Sequence, residues 1–211
     1  MKTLKESILS RSSHSGENFK AQRRNEIEKW LKEYNIKNYT INDDFTIDVD
    51  GDVDIYAMNP KEFPEYIQFG IVKGDFGCIR NNLKSLKGAP REVGKSFYCS
   101  MNELTSLEGA PEKVGEDFDC NHNNLTSLEG APKRVRRSFN CDHNKLTSLE
   151  GAPKEIGRSF YCSCNKLTSL KGAPKEVGGA FDCRGNSVQF TREDVRKVCN
   201  VKGEIILNFE L

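Results

Sequence analysis

A fixed period of 21 residues runs through the chain and leaves few folds open to it. Phe recurs at 76, 97, 118, 139, 160 and 181, Cys at 78, 99, 120, 141, 162 and 183, and Asn at 81, 102, 123, 144, 165 and 186. Leu83, Leu104, Leu125, Leu146 and Leu167 follow in step, closed by Val188, and then Leu86, Leu107, Leu128, Leu149 and Leu170. A Gly-Ala-Pro triplet ends each unit, at Pro90, Pro111, Pro132, Pro153 and Pro174, before a β-branched residue at 93, 114, 135, 156 and 177. Self-similarity at this period is the signature of stacked coils, in which each unit buries its apolar side only against the next.

The parts of the unit have separate tasks. Phe-x-Cys alternates with period two, as a short half-buried strand does. Asn, three residues after Cys, stands where the chain leaves the strand, and its amide can satisfy backbone groups there and in the next coil. Leu-x-x-Leu buries two more side chains, and Gly-Ala-Pro makes the return bend. Val49–Ile55 and Val201–Leu207 have the same shape, with Val53/Ile55 and Ile205/Leu207 in the Phe and Cys places. These features predict about eight short parallel strands in one sheet, ~34 Å long at the usual strand separation. The return side is expected to be extended or 3₁₀.

The ends read as caps. Ile27, Trp30, Leu31 and Tyr34 share one helical face, so a helix is expected at about 20–34, with Trp30 over the first coil and an extended segment at 38–47. Residues 1–18 read as a flexible tail, with Leu4, Ile8 and Leu9 able to dock as a short helix. Residues 19–48 form the N-terminal cap, 49–190 the repeats, and 191–211 a C-terminal cap. That last cap opens on Thr191-Arg-Glu-Asp194, a capping-box-like start, with Val195 and Val198 as its apolar side.

The repeat unit resembles a leucine-rich repeat of the short bacterial and bacteriophage kind, most clearly at Asn123–Pro132 (N-x-L-T-S-L-E-G-A-P). Phe and Cys stand where that family has strand leucines. The resemblance implies a leucine-rich-repeat solenoid that binds a protein partner through its strand face. It also implies a phage or bacterial setting, with the protein directed at a host factor.

Lys+Arg number 32 and Asp+Glu 31, a formal net charge of +1, which argues against a globally basic nucleic-acid binder. No apolar run reaches the length of a membrane span. The stretch at 1–20 does not read as a secretory signal, so a cytoplasmic location is the expectation. Six of the eight cysteines occupy one core position and read as a reduced ladder, because free Cys behaves as a small buried hydrophobe. No nucleophile with a placed base and no phosphate loop is visible. The chain therefore reads as a non-enzyme with no cofactor and no small-molecule substrate.

Three groups of candidate site residues remain. The strand-face columns vary while the core columns do not; they supply Tyr98, Asp119, Asn121, Asn140, Asp142, Tyr161, Asp182 and Arg184, with the two tyrosines as anchors. Lys133, Arg134, Arg136, Arg137 and Arg158 form a local basic patch, which fits nucleic acid or an acidic partner as a second alternative. A structural role in an assembly such as a virion is the first alternative. His122, His143 and Cys164 stack at one repeat position, as metal ligands could. Arg80, Met101 and Gly185 fill the same column, which favours a varying surface position over a metal site.

Overall fold

The computed structural model describes residues 4–208 except Asn59, and it is a parallel-strand solenoid of about eight turns with a helix at each end. The eight expected strands are Val53–Asp54, Phe76–Gly77, Phe97–Tyr98, Phe118–Asp119, Phe139–Asn140, Phe160–Tyr161, Phe181–Asp182 and Ile205–Ile206. They pair in sequence order, and Phe faces Phe across each inner step, as in Phe97↔Phe118 and Phe118↔Phe139.

The expectation of a single sheet is corrected. The return side of each coil forms a second, nine-stranded sheet: Tyr39–Ile41, Ile47–Val49, Phe69–Val72, Glu92–Val93, Lys113–Val114, Arg134–Val135, Glu155–Ile156, Glu176–Val177 and Asn200–Val201. Among the described residues no 3₁₀ turn occurs. The cause is the strict period. The β-branched residue before the corner lies in register with its counterpart one coil away, so its backbone pairs just as the Phe-x-Cys backbone does. The two sheets are called here the Phe sheet and the Val sheet.

The core between them is a set of ladders. Phenylalanine ring centroids from Phe76 to Phe181 follow one another at 5.6, 5.3, 5.1, 6.0 and 5.1 Å. The six repeat cysteines are free and buried. Burial pushes the Cys78 thiol up to about 12, and those of Cys99, Cys120, Cys141 and Cys162 well above their usual value. Cys120 Sγ lies 3.3 Å from the Asn140 carbonyl oxygen of the next coil.

Two polar ladders bracket each Phe strand. At its exit, Asn123 Nδ2 donates to the carbonyls of Cys99 in the previous coil (3.0 Å) and Cys120 in its own (3.1 Å), while its Oδ1 accepts from Leu104 N (3.0 Å). Asn102, Asn144, Asn165 and Asn186 repeat the pattern. At the strand's entrance the residue before Phe accepts from the same position one coil on. Asp52 accepts from Asp75 N, Asp75 from Ser96 N, Ser96 from Asp117 N, and Asp117 from Ser138 N.

Between Cys and Asn the chain turns sharply, and the residue before each Asn takes a left-handed backbone. Arg80, Met101, His122, His143 and Cys164 have φ of 59, 54, 49, 52 and 51°. Such a conformation is uncommon outside glycine and carries strain. Here the asparagine amide that follows holds it.

One step is looser than the others. Gly94, Gly115, Gly157 and Gly178 follow the Val strand, and a Cβ at Gly115 or Gly157 would lie 1.9 or 2.0 Å from a carbonyl oxygen of the preceding coil. Arg136 stands in this column and does carry a Cβ. Elsewhere the backbone bonds that flank the strand form, as in Gly115 N→Val93 O and Lys154 N→Lys133 O. Among the described residues the equivalents from Arg136 N and Lys133 N are not made. The strands there share only the Val135↔Val114 pair. The loss is local to the Val strand: Arg137 N→Glu116 O (3.1 Å) beside it and the Phe strands of the two coils remain paired.

The caps differ in part from expectation. Helix α1 runs Leu4–Glu33, so residues 4–18 of the expected tail are helix rather than coil. No proline or run of β-branched residues interrupts that stretch. Residues 1–3 and 209–211 lie outside the described residues, as do the side chains of Leu4, Ile8 and Leu9. Ile27, Trp30 and Leu31 are buried as expected. Trp30 meets Phe63 and Phe69 edge-on, each at 6.2 Å, and so covers the first coil. The segment expected at 38–47 is the first arm and turn of an antiparallel hairpin, Tyr39–Ile41 with Ile47–Val49. Helix α2, Arg192–Val198, carries the expected capping box between Thr191 and Asp194. Val195 is buried, but Val198 is 42% exposed on a helix too short to cover the coil end with both. Val188, last in the leucine column, is 43% exposed.

Replacing Asn123 with Ala removes the bonds to two buried carbonyls and one buried N–H. Urea denaturation is expected to show a loss of about 3 kcal/mol. Arg136→Gly lets the separated step close and is expected to raise stability by about 1 kcal/mol, two recovered bonds set against the entropy of glycine.

Candidate binding face

The outer surface of the Phe sheet is made by the residue between Phe and Cys and the residue after Cys. Alternation along the strand turns both away from the core. The first column is Gly77, Tyr98, Asp119, Asn140, Tyr161 and Asp182, and the second is Ile79, Ser100, Asn121, Asp142, Ser163 and Arg184. In-register pairing of successive coils aligns these two columns side by side, with Asp182 buried among them.

Their partners divide them. Asp119 Oδ1 accepts from Asn121 N at 3.0 Å, Asn140 Oδ1 from Asp142 N at 3.0 Å, and Asp182 Oδ1 from Arg184 N at 3.1 Å. Each is an Asx turn that closes the strand exit. Asp142 Oδ1 accepts from Ser163 N in the next coil. Asp182 is buried and held by the Arg184 guanidinium, with Nη2–Oδ2 at 2.8 Å. So Asp119, Asn140, Asp142 and Asp182 serve their own turns or a neighbouring coil. Tyr98 and Tyr161 do not: both are half-buried, and each is followed by a buried serine, Ser100 or Ser163.

The face also carries charge strain. Burial, with lesser repulsion from Asp142 and Asp117, pushes the Asp119 carboxyl up to about 6. Burial likewise raises Asp142. His122 and His143 stack with ring centroids 4.2 Å apart, and Asn121 Oδ1 lies 3.0 Å from His122 Nδ1. Desolvation, then the neighbouring His143, lowers the His122 pKa. Cys164 lies one coil further in the same left-handed column. Among the described residues no group of three or more His, Cys, Asp or Glu is placed to hold a metal ion.

The basic patch lies on the Val sheet and its corner, away from this face. Arg134 pairs with Glu155 at 3.2 Å, and Arg137 with Glu116 at 2.8 Å and Asp117 at 3.9 Å. Lys133, Arg136 and Arg158 make no ion pair among the described residues. Carboxylates are thus threaded through the patch.

Sequence reasoning missed the N-terminal extension of the face. Tyr56, Met58 and Met101 are about half exposed, at 50, 47 and 43%, and the Tyr56 hydroxyl accepts from Arg80 at 3.3 Å. Aligning Val53–Ile55 with Phe76–Cys78 places Tyr56 in the second column, and that was the available signal. Among the described residues no helix is long and apolar enough to cross a membrane. Compared with protein-family models, curated proteins and solved structures, the chain matches none of them.

The sign of the Asp119 shift sets a pH dependence. A carboxyl whose folded pKa is raised binds more protons when folded, so its penalty is present above about pH 6 and fades as pH falls toward the unfolded value. Asp119→Asn keeps the Asx acceptor and removes the charge. Its melting temperature is expected to exceed wild type at pH 7.5, and the gap to close by pH 4.5.

Proposed function

We propose that the chain is a non-catalytic binding module that recognises a protein partner through the outer face of the Phe sheet, with Tyr98 and Tyr161 as anchors. Its coils are read as leucine-rich repeats of the short bacterial or bacteriophage type, and the partner as a host protein. The observation that carries this reading is the division of labour on the face. Asx residues close the turn in three of the six repeat coils, whereas two coils devote the same position to an aromatic ring that the fold does not require.

The rings lie three coils apart, ~14 Å at the strand spacing. Aromatic side chains contribute a disproportionate share of interface energy, and a stiff ladder loses little ordering entropy on binding. Contact with nucleic acid through 133–137 has less support, because Arg134 and Arg137 are engaged by carboxylates.

The test is affinity capture from lysate of the natural host with wild type and Tyr98→Ala/Tyr161→Ala side by side. The double variant is expected to melt within a degree or two of wild type and to lose a specifically captured protein. Equal capture by both, or nothing captured beyond background, rejects the reading.

A further inference from the structure

The outer face of the Val sheet carries a charge order that complements its own reverse. One outward residue per coil gives Glu92, Lys113, Arg134, Glu155, Glu176 and Asn200, and two residues on stand Gly94, Gly115, Arg136, Gly157, Gly178 and Lys202. From Glu92 onward the signs run minus, plus, plus, minus, minus and, with Lys202, plus. A second copy can be turned over about an axis parallel to the strands, midway between Arg134 and Glu155. Arg134 then faces Glu155 of that copy, Lys113 faces its Glu176, and Glu92 meets its Lys202. From Glu92 to Lys202 every outward charge in these two columns other than Arg136 meets its opposite, and each contact occurs twice by symmetry; Lys73 and Asp50 of the earlier coils lie beyond the overlap and pair with each other.

We propose that this face is a homodimer interface, in which two copies pack Val sheet on Val sheet with their solenoid axes antiparallel. Within one copy the same residues already pair along the sheet: Lys113 with Glu92 at 3.1 Å, Arg134 with Glu155 at 3.2 Å, and Lys202 with Glu176. All three pairs are exposed, and such pairs contribute little singly. Face-to-face packing joins them into four-charge squares of alternating sign. Shape agrees with charge. The glycine column has no side chains to hold the faces apart. Arg136, its one projecting member, faces Gly157 of the second copy, in a concavity floored by Gly157 and Gly178 and edged by Glu155 and Glu176.

The size of the face sets the strength. Six coils at ~4.8 Å and about five residues at ~3.3 Å cover ~470 Å² per copy. That lies at the low end for specific interfaces. Lys133, Lys154, Arg137 and Arg158 flank the two columns and meet like charges at the margins. The dimer is therefore weak and concentration-dependent, and it is independent of any partner on the Phe sheet.

Sedimentation equilibrium over a wide concentration range, at low and at high salt, tests it. Wild type is expected to associate to a dimer that weakens with salt. Lys113→Glu alone places Glu against Glu176 of the second copy, and Glu176→Lys alone places Lys against its Lys113. Each should weaken the dimer by on the order of tenfold, with circular dichroism and melting close to wild type. Mixing the two variants one to one restores complementarity at one of the two Lys113–Glu176 contacts by exchange and at the other by the native pair, so a heterodimer should form at near wild-type strength. Tyr98→Ala/Tyr161→Ala should dimerise unchanged. A protein that stays monomeric at every concentration overturns the proposal. So does a dimer indifferent to both charge reversals, or a mixture of the variants that fails to associate.

Discussion

Each coil is fastened to the one before it where the strand ends, by a buried asparagine amide that donates to two carbonyls and accepts from an N–H of the previous coil. Strands of two residues form too few ladder bonds to order a sheet by themselves. The amide adds these bonds, and a further one to the carbonyl two residues before it, at a point where the chain turns through a left-handed residue and backbone groups would otherwise be buried unpaired. An unpaired buried group is more costly than a made bond is favourable, so the turn, the register and the Phe stack all depend on this side chain. The Asp and Ser ladder at the other end of the strand does the same work with a single bond per step.

Much of this was legible in the residues because the period is strict. The eight Phe-sheet strands, the buried Cys column, the Trp30 cap and the Thr191 capping box follow from spacing and residue type. The Val sheet did not follow. A single β-branched residue in each coil has no alternation to read, and only its register with the next coil makes it a strand. The start of α1 was missed because residues 10–18 do not continue the short apolar side that Leu4, Ile8 and Leu9 begin, and a sustained apolar face is what sequence periodicity detects.

On the candidate face, spacing placed the eight residues but could not separate their roles. Asp119 and Asn140 occupy the same position as Tyr98 and Tyr161. Yet the acids and amides are tied to their own turns, because a short polar side chain can reach the N–H two residues on and a phenol ring cannot. Variation along that column therefore mixes two things: which residue closes the turn, and what the surface presents. The histidine column is similar. His122 and His143 stack because the fold sets them one strand spacing apart, close enough for their rings to lie offset against each other.

Arg136 gives the array an internal joint. In a one-dimensional stack, where each unit touches only its neighbours, the least cohesive junction decides how the whole comes apart. Here that junction is not at a terminus. The side sheet is thinnest there, at Val114 and Val135, while the Phe strands and the asparagine bonds cross the same step intact. Local opening of the side sheet is then expected in the middle of the molecule as well as at its frayed ends, with faster amide exchange beside Arg136 than at the same position of other coils.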